Sequence, residues 1–96
     1  MVVAKSFSFE DGGLRLVFRK FFLWRHEVLL PYGSFILHKC KVSGDDVFAF
    51  HACTVTTTEG MEYCLYNSIS TERCVHFSKF VIGEIKKRYA GKVQVH

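Results

Sequence analysis

Proline is almost missing from this sequence: Pro31 stands alone among 96 residues. A chain this poor in proline, with ten phenylalanines and 49% hydrophobic residues, is excluded from the disordered and low-complexity classes and must fold. A long apolar run is missing as well. The most apolar segment, Leu14 to Leu37, is interrupted by Arg15, Arg19, Lys20, Arg25, His26 and Glu27, so no membrane-spanning helix of about 20 apolar residues fits. The opening residues Met1-Val2-Val3-Ala4-Lys5 show no charged region, apolar stretch and cleavage site of a secretion signal, and an intracellular location, cytoplasm or nucleus, is expected. In that setting Cys40, Cys53, Cys64 and Cys74 are expected as reduced thiols and not as a disulfide framework.

Several chemical signatures are missing too. There is no Cys-x-x-Cys pair, no glycine-rich loop to cradle phosphate and no nucleophile elbow, and no acid flanks a Cys/His pair to orient it. Asp45-Asp46 reads as turn chemistry and not as an acid/base pair. A protein that is not an enzyme is therefore expected. Charge is one-sided only slightly: thirteen Lys/Arg against nine Asp/Glu give +4, which favours polyanions without forming a basic tail.

What is present suits one hydrophobic core, and residues 1–96 are read as a single domain. The apolar content is generous for so small a surface, so self-association, a homodimer in the simplest case, is expected to cover part of it. Glu10-Asp11-Gly12-Gly13 places Asp-Gly in a two-residue hairpin loop, the pair that tolerates a type I′ turn. Phe9 then faces Leu14 and Phe7 faces Leu16 on an apolar side, with Ser8 facing Arg15 on the other. The second strand runs on to Trp24, Arg25-His26-Glu27 breaks it, and Val28-Leu29-Leu30 resumes before Pro31-Tyr32-Gly33 turns the chain. Residues 34–42 and 47–57 form the next hairpin around Ser43-Gly44-Asp45-Asp46, and Glu59-Gly60 leads into a strand over 61–66.

From residue 72 the period changes. Cys74, Phe77, Val81, Ile85 and Tyr89 recur at three- and four-residue spacing, which predicts an amphipathic helix over 72–90 capped by Ser70 or Thr71 and stopped at Gly91. Val93-Gln94-Val95 can add a short last strand. The expected fold is α+β, a mostly meandering antiparallel sheet of about five to six strands followed by one C-terminal helix. This outline resembles that of the whirly and purine-rich-element-binding proteins, which bind single strands, and equally that of pleckstrin-homology-like adaptor modules. No motif of the chain matches them, so the outline does not choose a function.

Two constellations bear on chemistry. If Cys40 stands opposite His51 and His38 opposite Cys53, two His-x-Cys pairs meet on one face, and His38, Cys40, His51 and Cys53 become candidate zinc ligands, with Cys64 as a further thiol. That face also carries Ile36, Val42, Ala49, Val55 and Tyr66, so thiols and imidazoles filling a core are preferred, and no cofactor is expected. The second constellation is the outward face of the second strand, where Arg15, Arg19 and Arg25 interleave with Phe21. Guanidinium groups that neutralise phosphate beside a ring that stacks on bases suit single-stranded nucleic acid. Lys39 and Lys41, beside Phe35 and Leu37, are expected to widen the patch. The expected function is single-strand binding, and the alternative is a small protein-interaction module, an inhibitor or adaptor acting through an apolar surface.

Overall fold

The computed structural model describes residues 2–20, 24–44 and 49–96. Its first hairpin pairs β2 (Ser6–Glu10) with β3 (Gly13–Lys20) in the expected register, Phe7 opposite Leu16 and Phe9 opposite Leu14. The turn differs in detail: the positive φ falls on Gly13 and not on Gly12, so the type I′ form is not adopted. Gly13 is required for another reason. A Cβ there would run into the backbone carbonyl of Leu30, so the strands approach too closely for any side chain.

Arg25-His26-Glu27 does not break a strand; it lies inside β4 (Trp24–Leu30), antiparallel to β3 with Arg19 opposite Arg25 and Val17 opposite Glu27. The triplet keeps the period of two. His26, Val28 and Leu30 face the core side, where His26 lies against Phe18, while Arg25, Glu27 and Leu29 face out. β2, β3 and β4 form a three-stranded antiparallel sheet of their own.

The second sheet holds β5 (Phe35–Gly44), β6 (Ala49–Thr57) and β7 (Glu62–Ser68), edged by β1 (Val2–Val3) and β8 (Gln94–Val95) in the order β1-β7-β6-β5-β8. Both edge strands run parallel to their neighbours. The fold is thus α+β as expected, but with two sheets, one mixed and one antiparallel, in place of a single meander. The difference arises because residues 31–34 carry the chain away from β4 to begin a new sheet, where Ser34 N–H and Oγ both donate to the Pro31 carbonyl.

The helix α1 (Thr71–Arg88) is the best-anticipated element. Ser70 caps it, its Oγ accepting from Arg73 N–H at 3.3 Å, and Glu72 and Lys86-Lys87-Arg88 sit at the ends that suit their charges. It ends at Tyr89, whose backbone is extended, two residues before Gly91. Gly91 serves Tyr89 differently: the ring lies where a Cβ of Gly91 or Gly33 would stand. Among the described residues no helix is long and apolar enough to cross a membrane.

The core draws on all three layers: Leu14, Leu16 and Phe18 from the small sheet, Phe35, Leu37, Cys53, Val55, Tyr63 and Leu65 from the large one, and Cys74, Val81 and Ile85 from the helix. The core face of β5 is therefore the one carrying Phe35 and Leu37, not the one carrying Ile36 and His38. On the opposite face of the large sheet Lys41 stands opposite Ala52 and Glu62 opposite Thr56, so the ion pair between them crosses β6 above Thr54. Thr54, flanked by His38 and Cys64, is fully buried and its hydroxyl finds no partner among the described residues.

Two stability outcomes follow from this packing. Val81→Ala should cost about 1 to 3 kcal/mol through lost methyl burial and the cavity left behind, seen as a lower urea midpoint. Thr54→Val should act in the opposite sense, gaining about 1 kcal/mol by removing a buried hydroxyl that has no partner. A lower midpoint for that variant would mean the hydroxyl is bonded in solution.

Candidate functional site

The outward face of the small sheet is arranged as the alternation requires, with Arg15, Arg19 and Arg25 on one side of β3 and β4. Charge there is largely cancelled. The Arg15 Nε and one terminal nitrogen both donate to the Glu10 carboxylate, and the other terminal nitrogen lies 3.6 Å from Glu27. Glu27 is shared, its carboxylate also lying 2.8 Å from an Arg25 terminal nitrogen as an ion pair. The pairing with Arg15 holds the Glu10 carboxyl below its ordinary range. Arg15 is thus held between two carboxylates, whereas Arg19 is exposed and has no ion pair among the described residues. Phe21 lies outside the described residues.

Lys39 and Lys41 do not extend this face, because they belong to the other sheet. Lys41 pairs with Glu62, and Phe35 and Leu37, expected beside them as surface rings and chains, are in the core. Lys39 borders a separate cleft of about 390 Å³ with Lys86 and Lys92, between the helix and β8.

Arg19 and Arg25 instead meet at a cleft between the two sheets, about 480 Å³ in volume. Val2, Val3 and Met61 line one wall, and Phe18, Val28 and Tyr63 supply the apolar floor. The rings follow one another: Tyr63 lies 5.2 Å from Phe18 at 33°, and Phe18 lies 6.4 Å from His26 at 30°, with His26 outermost and exposed. The arrangement brings a stepped series of rings and the residues Arg19 and Arg25 to one cleft. Sequence reading named Arg19 and Arg25 but not His26, Phe18 and Tyr63, which line the same cleft. No local signal points to them, since the cleft exists only where β1 and β7 come up against β3 and β4.

The His/Cys candidates separate. The expected register fails: His38 stands opposite Thr54, Val42 opposite His51, and the register shifts between His38 and Lys41. His38 consequently lies with Thr54 on the outer face, 5.6 Å from the His96 ring, and burial together with Lys41 and His96 pulls its pKa down. Cys53 is buried on the inner face, where desolvation pushes its thiol up to about 11. Cys40 and His51 do meet, sulfur to Nδ1 at 3.4 Å. Among the described residues no group of three or more such side chains is placed to hold a metal ion.

No family model matches the chain, and comparison with curated proteins and with solved structures finds no match either.

The Arg15–Glu10 pair yields a titration test. A carboxyl whose native pKa is depressed contributes stability above its unfolded value, near 4.5, and that contribution fades as pH falls through the lower native value. Carboxyl-detected NMR should place the Glu10 midpoint below 4.5, and Arg15→Gln should return it toward 4.5. An identical midpoint in both proteins would remove Arg15 as the cause.

Proposed function

We propose that this chain binds single-stranded nucleic acid at the cleft between its two sheets, with Arg19 and Arg25 on phosphates and His26 as the stacking platform, backed by Phe18 and Tyr63. The observation that carries the reading is the convergence of two arginines and a succession of rings on one apolar cleft. Ring faces accept any base, and guanidinium groups neutralise the backbone without reading sequence, so binding of this kind is tolerant of sequence and sensitive to salt. Glu27 sets its strength. By pairing with both Arg15 and Arg25 it withholds positive charge from a phosphate at the cleft mouth.

A small protein-interaction module, acting as an adaptor, inhibitor or homodimer, is the second reading. It rests on Ile69 and Phe80, 82% and 53% exposed, which lie apart from the residues lining the cleft. Interfaces built on apolar side chains tolerate salt, which separates the two readings.

Fluorescence anisotropy with labelled DNA and RNA single strands across a salt series tests the proposal. Replacing both Arg19 and Arg25 by Ala should weaken binding and reduce the slope of log affinity against log salt by about 1.4, at roughly 0.7 per phosphate contact. Glu27→Gln should tighten binding and steepen the slope, Arg15→Ala should leave the slope nearly unchanged, and His26→Ala should lower affinity at constant slope. Absence of binding at low salt would eliminate single strands as the ligand and leave the protein-interaction reading standing.

A further inference from the structure

The register shift in β5 has a second result, independent of the cleft. Lys39 and Cys40 leave the regular ladder, and a bulge of this kind re-aims side chains. Cys40, half-buried, is set with its sulfur 3.4 Å from His51 Nδ1, while the other ring nitrogen, Nε2, lies 3.0 Å from the Thr71 hydroxyl at the start of α1. When Nε2–H donates to Thr71 Oγ1, Nδ1 is left as the acceptor for the Cys40 S–H, and the imidazole is oriented to take that proton.

A second thiol is at hand. Cys74, in the first turn of α1 and fully buried, donates its S–H to the Lys39 carbonyl at 3.4 Å, which places it beside the backbone of Cys40. Its pKa is pushed up to about 12, by burial first and then by the adjacent Cys40 thiol. Burial likewise raises Cys53, to about 11, and Cys64. Among the four thiols Cys40 is the one that combines access with a base at contact distance, and thiolate character with access is what decides which cysteine reacts.

We propose that Cys40 is an oxidant-reactive site, activated by His51, at which a hydroperoxide forms a sulfenic acid that Cys74 converts to an intramolecular disulfide. In the first step the Cys40 proton passes to His51 Nδ1, and the sulfur attacks the distal peroxide oxygen. An S–O bond forms as the O–O bond breaks, and the departing alkoxide or hydroxide takes the proton back from the imidazolium. Sulfur is oxidised and the peroxide reduced to alcohol or water. In the second step the Cys74 sulfur attacks the Cys40 sulfur, an S–S bond replaces the S–O bond, and the leaving hydroxide with the Cys74 proton forms water. The product ties the β5 bulge to the first turn of α1.

Peptide mapping of the reduced full chain after hydrogen peroxide treatment and alkylation tests this. The principal product should be a cross-linked pair of peptides containing Cys40 and Cys74, with Cys53 and Cys64 alkylated only after denaturation. Cys74→Ser should accumulate a Cys40 sulfenic acid that a cyclic 1,3-dione traps, and Cys40→Ser should form no disulfide. His51→Gln should slow the reaction by about a hundredfold or more, the lower end of what a positioned base contributes, with its circular dichroism unchanged. Should a cysteine variant fail to fold, wild-type mapping and the His51→Gln rate still decide. A disulfide through Cys53 or Cys64, no disulfide under excess peroxide, or equal rates with and without His51 would overturn the assignment.

Discussion

The carbonyl of Lys39 is the point on which the large sheet and the helix depend together. It sits in the stretch where β5 slips its register on β6, and it accepts from Ser78 Oγ at 2.5 Å and from Cys74 Sγ at 3.4 Å. A buried backbone acceptor outside its ladder costs free energy unless something donates to it, and here the helix supplies both donors. Ser78 is the buried polar residue on a helix face otherwise built from Cys74, Val81 and Ile85, and its second bond, to the Cys74 carbonyl at 2.9 Å, holds it in place. One local irregularity thus fixes where α1 lies on the sheet. It also releases Cys40 toward His51 and sends Lys39 toward the cleft it shares with Lys86 and Lys92.

Electrostatics on the small sheet follows a different logic. Three arginines on one face would repel one another, and Glu10 and Glu27 are interleaved among them so that Arg15 is held from two sides. Exposed pairs of this kind contribute little to stability, so their main effect is to decide which positive charge remains available to a ligand. By that criterion Arg19, exposed and without an ion pair among the described residues, is what the surface offers, and it lines the inter-sheet cleft together with Arg25.

Local patterns carried much of this into the sequence. Phe7, Phe9, Leu14 and Leu16 could be placed because a two-residue loop fixes register, and the helix because its apolar residues recur with its own period. Ser70 as cap was legible for the same reason: a cap is a local interaction. The face of β5 was not legible, since Ile36, His38, Cys40 and Val42 alternate as well as Phe35 and Leu37 do, and what chose between them is a helix distant in sequence and a bulge within the strand that no local pattern announces. Arg25-His26-Glu27 was misread because three polar residues in a row suggest a break. Their alternation was intact, and His26 is accommodated by Phe18 across the strand pair.

The cleft itself depends on the first few residues of the chain. Ala4 N–H donates to the Cys64 carbonyl in β7, and the next amide, Lys5 N–H, donates to the Val17 carbonyl in β3, so adjacent residues bond to different sheets. Just before this crossing, Val2 and Val3 cover the edge of β7 in parallel pairing and line the cleft. Covering an open edge and forming a wall of the cleft are therefore the same structural act. An edge left bare would expose a row of backbone groups and invite pairing with another chain. A two-residue strand covers it with few hydrogen bonds, which places that wall among the elements least firmly held. Whatever enters between the sheets meets a rigid floor of Phe18 and Tyr63 from the core and a wall fastened mainly at Ala4 and Lys5. Under the proposed function, affinity at this cleft is coupled to how well the first strand stays docked.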